Sequence, residues 1–283
     1  MILLAESGST KCDWVVLDAE GKVVLQTKTK GLNPSVFSVA SMQKHLSENA
    51  QLLELGNKIK KLYFYGAGCG TPKPAKTIEV ILKKMFPTAK VYIHEDILAA
   101  CLAVTTQPGI VCILGTGSNA CYFDGKKAHL PMPSLGYIIM DEASGNYFGK
   151  QLIRDYYYAK IPADLASIFQ ENYALDADII KENLYHQPNP NTYLANFAKF
   201  IFQHKADYPN YFNTLLNAGI NKFIDNRILT LEKDKNLPVH FVGSIAKFSE
   251  DIIENCLKSK NLVLGKIQRK PIDGLITYHK KNN

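Results

Sequence analysis

Two short runs of glycine and hydroxyl residues end apolar stretches of this 283-residue chain. Ser7-Gly8-Ser9-Thr10-Lys11 follows residues 2–5, and Gly115-Thr116-Gly117-Ser118 follows residues 110–114. A turn of this composition can aim backbone N–H groups at phosphate oxygens without side-chain obstruction. Its hydroxyls, and Lys11 in the first run, add donors and a cation. Neither run has the glycine spacing of a Walker loop or of a dinucleotide fingerprint. A plain hairpin turn explains either run alone, but two at equivalent places point to a nucleotide's phosphates held between related halves. Phosphoryl transfer further needs a carboxylate to take the attacking hydroxyl's proton, and oxygen ligands for Mg²⁺. Asp96, between a short apolar strand and an apolar helix, is the candidate base, with a helix N-cap as its plainer reading. Glu6, just before the first run, is placed to hold Mg²⁺ through a water near the phosphates.

The elements that must position these groups follow from hydrophobic patterning. Strands are expected at 2–5, 12–17 and 22–28, with a hairpin turn at 18–21 and a Gly31-Leu32-Asn33-Pro34 loop after them. Helical spacing covers 38–55, 75–86 and 97–104, separated by strands at 62–65 and 91–93. The first hundred residues therefore read β-β-β-α-β-α-β-α. Strands at 110–114 and 120–123, with a turn at Asp124-Gly125, repeat the opening arrangement. Residues 144–158 and 163–231 read as helical with an interruption at 186–191. A strand at 239–242 then leads through Gly243-Ser244 into a helix at 245–257, and a last strand is expected at 262–264. The repeat predicts two related α/β halves with a hinge near 105–109.

Composition narrows the function classes. With 46% hydrophobic and 21% charged residues the chain is an ordinary globular sequence. The net charge of +7 comes mainly from scattered lysines; the arginines are Arg154, Arg227 and Arg269. A nucleic-acid reader would concentrate arginine and aromatics in one stripe, so no nucleic-acid partner is expected. The apolar start is interrupted by Glu6 and residues 108–123 are broken by polar residues, so neither a leader nor a membrane span is expected. Six cysteines without paired spacing fit reduced, buried thiols and a cytoplasmic location. Tyr193, Phe197, Phe200 and Ile201 form a core or subunit face, which leaves a homodimer open. Tyr156-Tyr157-Tyr158 reads as helix packing and His94 as a surface or capping group.

Taken in order, SGSTKCDW at 7–14, GLNP at 31–34, Glu95-Asp96 with Ala99-Ala100, GTGSN at 115–119 and GYIIMDEASG at 136–145 carry a resemblance. The chain resembles the N-acetylglucosamine kinase branch of the BadF/BadG/BcrA/BcrD ATPase family, in the sugar kinase, Hsp70 and actin superfamily. The likeness runs through nearly the whole sequence. It implies an α/β fold of two duplicated ribonuclease H-like (actin-like ATPase) domains around a nucleotide cleft. Residues 1–106 would form the first, with a terminal helix at 271–283 packing back on it. Residues 107–270 would form the second, with a helical insertion at about 160–235.

The resemblance also implies an activity: transfer of phosphate from ATP, with Mg²⁺, to the 6-hydroxyl of an amino sugar, N-acetylglucosamine first. Asp96 would be the base. Ser7, Gly8, Ser9, Thr10 and Lys11, with Gly115, Thr116, Gly117 and Ser118, would hold the phosphates. Gly243 and Ser244 would approach the adenosine, and Asn33, Asn119, Gly136, Asp141 and Glu142 the sugar. Three departures from the family pattern stand out. Glu6 replaces an aspartate, Met140 and Ala143 replace glycines around Asp141-Glu142, and Gly274 lacks the small residue that usually follows it. Two other outcomes stay open. A non-catalytic sensor of the same fold is one; the other is an activating ATPase with an iron–sulfur cluster, for which Cys112 and Cys121 flank the second loop.

Overall fold

The computed structural model describes residues 1–8, 10–231 and 236–282. Ser9 of the first loop, residues 232–235 at the end of the expected insertion, and Asn283 lie outside the described residues. The chain divides into two compact units: Met1–Thr106 with Lys270–Asn283, and Gln107–Arg269.

The first unit opens with β1 (Ile2–Ser7), β2 (Lys11–Leu17) and β3 (Val23–Lys30), an antiparallel meander. β1 and β2 are apolar almost throughout because both faces of the sheet centre are covered; β3, at the edge, alternates and keeps every second residue exposed. α1 (Val39–Ser47) and α2 (Ala50–Leu53) replace the single helix expected at 38–55. The break follows from Asn49, whose Oδ1 accepts the Leu52 N–H at 3.0 Å and caps a new helix. β4 (Lys61–Gly66), α3 (Pro72–Met85), β5 (Lys90–Glu95) and α4 (Asp96–Val104) complete the unit's first stretch. Proline at its first turn lets α3 start three residues earlier than periodicity suggested. The sheet order is β3-β2-β1-β4-β5, with β1, β4 and β5 parallel.

The second unit repeats that plan. β6 (Gly109–Leu114), β7 (Ser118–Phe123) and the short β8 (Ala128–His129) form a meander. The helices α5 (Gly145–Tyr157), α6 (Ala163–Asn172), α7 (Ala177–Tyr185), α8 (Pro190–His204) and α9 (Pro209–Phe223) follow. α9 runs on into a π-helical turn, Ile224–Ile228. β9 (Pro238–Val242), α10 (Ser244–Phe248), α11 (Glu250–Ser259) and β10 (Val263–Gln268) close the unit. Buried Ser249, with non-helical φ and ψ, splits the helix expected at 245–257. The order β10-β9-β6-β7-β8, with β6, β9 and β10 parallel, matches the first sheet strand for strand. The chain is thus α/β with one topology used twice. Phe197, Phe200 and Ile201 of α8 are buried in this unit's own core, which decides for core over a subunit face. Of the tyrosine run, Tyr156 packs on that core, whereas Tyr157 and Tyr158 are exposed.

α12 (Pro271–Asn282) comes last and packs on α4 of the first unit. A Cβ at Gly274 would overlap Ala103 backbone, so the two helices cross where neither carries bulk. Leu275 is fully buried with Leu4, Val15, Leu17, Tyr65 and Ala99. That contact is why a large residue, not a small one, follows the glycine.

Candidate active site

In the first unit, three parallel strands end level with one another. Their register pairs Ser7 with Gly66 and Gly66 with Glu95, so β1 and β5 flank β4 at about 5 Å each. Asp96 follows Glu95 as the first residue of α4, at the carboxyl ends where open α/β sheets bind ligands. The cap of α4 is Glu95, which makes no side-chain capping bond. Burial pushes the Asp96 carboxyl up to about 6, Glu95 adds to the push, and the N–H groups of Ile97 and Asp96 itself oppose it.

Glu6, one strand pairing away from the β1 terminus, belongs to the same field. Burial pushes it up to about 7, the Lys11 ammonium opposes, and the Asp96 and Asp13 carboxylates push further. Asp13 was not singled out from sequence. It is buried on β2 and ion-paired to Lys11, with Lys28 Nζ 3.9 Å away. Its only sequence signal is an acid inside an apolar strand. Among the described residues no group of three or more ligating side chains forms a closed metal cage. The chemistry nevertheless fits Mg²⁺: partly buried carboxylates repel one another here, and this ion takes few protein ligands plus waters and phosphate oxygens.

The first loop is a tight hairpin end, its Gly8 N–H donating to the Lys11 carbonyl at 3.0 Å. Ser7 is buried, and its Oγ accepts the Leu32 N–H at 2.9 Å; the Gly31 N–H donates to the Thr10 carbonyl at 3.1 Å. These two bonds bring the 31–34 loop against the first glycine-hydroxyl loop and set Asn33 beside it. Asn33 is itself buried and accepts the Ser35 N–H at 2.9 Å. Gly68, with φ of 77°, passes so close to Asn33 Oδ1 that no side chain fits there. Sequence reading missed this Gly68–Asn33 contact, although the glycine cluster after β4 was its signal.

The second loop is held by its carbonyls. Gly115 and Thr116 oxygens accept the N–H groups of Gly145 (2.8 Å) and Asn146 (3.0 Å) at the start of α5. The Asn146 side chain donates to Thr116 O and to Asp141 Oδ2, both at 2.8 Å. Asp141 Oδ1 accepts the Ser118 N–H at 3.2 Å. With its carbonyls tied back, the loop leaves the N–H groups of Thr116 and Gly117 without a protein acceptor among the described residues. That is the arrangement an anion needs. Gly243, with φ of 126°, lies against the Leu114 carbonyl so that a Cβ would overlap it, which puts Ser244 beside the same loop.

The remaining site residues of this unit have distinct surroundings. Asn119 Oδ1 accepts from Arg227 Nη2 at 2.6 Å, and Glu142 Oε1 from Asn226 Nδ2 at 3.2 Å. Gly136 has φ of 78° and nothing within 4 Å of where a Cβ would be. Asp141 (φ 71°) and Ala143 (φ 57°) are both left-handed. The second of these is the geometry that a family glycine suits, so alanine sits there under strain. Cys112 and Cys121 are buried thiols of the sheet, in no disulfide, and burial pushes Cys112 well above the ordinary thiol range, which suits a core role rather than cluster ligation.

No protein-family model matches the chain, and no curated protein matches its sequence. Solved structures do. A candidate N-acetylglucosamine kinase from Porphyromonas gingivalis superimposes with a TM-score of 0.92 at 35% identity, covering 100% of this chain and 99% of that one. A second candidate N-acetylglucosamine kinase, from Chromobacterium violaceum, has a TM-score of 0.75 at 15% identity, covering 98% of each chain. A ROK family glucokinase from Streptomyces griseus, solved with glucose and AMPPNP, shares the fold at a TM-score of 0.63 and 12% identity, over 98% of this chain and 97% of its own. One-third identity over the full length of both chains goes beyond a shared fold, and the chain belongs to the N-acetylglucosamine kinase-like family of actin-fold sugar kinases.

Proposed function

We propose that the protein phosphorylates the 6-hydroxyl of an amino sugar with ATP, and that N-acetylglucosamine is its first-choice acceptor. The observation that carries the reading is the alignment of Asp96 and Glu6 at the ends of parallel strands beside the first glycine-hydroxyl loop. Ser7, Gly8, Thr10 and Lys11, with Gly115 to Ser118, bind the phosphates. Asn33, Asn119, Glu142 and the backbone at Gly136 receive the sugar, while Asp141 braces the second loop through Ser118 and Asn146. Gly243 and Ser244 face the adenosine.

Asp96 accepts the proton of the 6-hydroxyl as its oxygen bonds to the γ-phosphorus and the bond to the bridging oxygen breaks, releasing ADP. A pKa near 6 leaves Asp96 mostly ionised at neutral pH yet basic enough to take that proton. Glu6 would hold Mg²⁺ through water. When bound, the ion offsets negative charge on the phosphate oxygens. The buried free cysteines favour a reducing compartment, consistent with the cytoplasm, and among the described residues no helix is long and apolar enough to cross a membrane.

The test is coupled ADP release with N-acetylglucosamine, glucose, N-acetylmannosamine and N-acetylmuramic acid. Turnover on at least one sugar, lost by about 10³-fold or more in Asp96→Asn, is the expected result. Binding of ATP and sugar without turnover in the wild type would replace the kinase with a sensor.

A further inference from the structure

Arg227 is 5% exposed, and among the described residues it has no carboxylate partner. A buried cation without a counter-charge is costly and needs a reason. It stands in the π-helical turn after α9, a rare backbone form that often marks functional positions. Among the described residues its guanidinium makes two side-chain hydrogen bonds: Nη1 donates to the sulfur of Met140 at 3.6 Å, within reach for the larger sulfur atom, and Nη2 donates to Asn119 Oδ1 at 2.6 Å. The family departure at Met140 thus supplies an acceptor to Arg227.

The Asn119 amide is fully specified by its surroundings. The same side-chain atom that takes the Arg227 donor also accepts the Ala120 N–H at 2.9 Å. Two donors converge on it, so it must be the oxygen, and the amide cannot be flipped. The Nδ2 group of this partly exposed side chain then has no protein acceptor among the described residues. The adjacent positive charge also polarises the amide, which strengthens its remaining N–H donors.

We propose that Arg227 is a positioning residue that locks Asn119 as an obligate hydrogen-bond donor, so that the site selects acceptors presenting a carbonyl or hydroxyl oxygen at that point. The inference rests on the proposed sugar site.

It is tested by calorimetric titration of the full chain with N-acetylglucosamine, below the melting temperature of each variant. Asn119→Asp can pair with Arg227 and should keep or raise Tm, yet it presents an oxygen where a donor is needed; affinity should fall about 10-fold or more. Arg227→Met removes a buried charge that has no carboxylate partner among the described residues and should fold, with sugar affinity reduced about 10-fold and the KM for ATP unchanged. Arg227→Lys, which keeps one donor to Oδ1, should recover part of that loss. Unchanged sugar affinity in Asn119→Asp, or an Arg227→Met defect that follows Tm alone, overturns the proposal. A sugar-free readout separates it from the kinase reading. In ¹⁵N spectra of the ligand-free protein, the Asn119 side-chain amide, assigned by its loss in Asn119→Asp, should give one NH₂ pair in the wild type and a broadened or doubled pair in Arg227→Met. One sharp, unshifted pair in Arg227→Met overturns the lock, whereas a wild type inert toward every sugar overturns the kinase.

Discussion

Two carboxylates at the strand ends respond to pH in ways that can be measured separately. As the proposed base, Asp96 must be ionised to accept a proton, and its carboxyl lies at about 6, so kcat/KM should fall on the acid side with a limb centred near pH 6. A limb near pH 4 would show that burial does not tune this group. Glu6 bears on stability. Its folded value of about 7 exceeds the ordinary 4.5, so between those values the folded state keeps a proton that the unfolded chain has released. Stability should therefore decline as pH rises from about 4.5 to 7. Urea unfolding at pH 5 and pH 8 should show a smaller decline in Glu6→Gln, and Mg²⁺ at pH 8 should restore more stability to the wild type than to that variant. Equal slopes in the two proteins would remove Glu6 from this account. Asp13, buried between Lys11 and Lys28, shows how far a residue's meaning depends on its neighbours: on β2 it reads as an oddity, and only the fold places it in the charge network.

At the scale of elements, the second loop is set by what packs behind it. β6 ends at Leu114, whose carbonyl is covered by Gly243 at the start of α10, while α5 ties down Gly115 and Thr116. Gly243→Ala adds a Cβ to a φ of 126° and to a contact with no room. It should destabilise the protein by about 1–3 kcal/mol and raise the KM for ATP more than that for sugar. An unchanged nucleotide KM in the folded variant would detach Gly243 from the loop's geometry. The strand-loop-strand repeat was legible because turn residues and apolar runs are local signals. The ties from Asn146 and Asp141 to the loop were not, since they join residues 23 and 30 positions apart through side-chain geometry.

For the whole molecule, the two units each bury a core of their own, and α12 belongs with the first although it follows the last strand of the second. Burial of Ile272 and Leu275 is worth about 3–6 kcal/mol as an upper figure, a large share of a typical domain's stability. Deleting residues 271–283 should therefore strip hydrogen-exchange protection from β1, β2 and α4 while leaving β6, β9 and α8 protected. Uniform loss through both sheets would show that the units do not unfold separately.

The sequence by itself determined the strands, both loops, the position of Asp96 and the family, because these depend on periodicity, turn chemistry and short motifs that neighbouring residues express together. It also marked Met140 and Ala143 as unusual without a reason for either. Only the tertiary structure decided that Met140 is an acceptor for Arg227, that Asp141 faces the loop, and that α8 is core rather than interface. Each of those facts depends on burial and on partners distant in the chain, and no local pattern encodes which side chains will meet. The two glycine-hydroxyl loops were written in the residues; the Asn119 donor beside the second had to wait for the fold to bring Arg227 108 positions back to it.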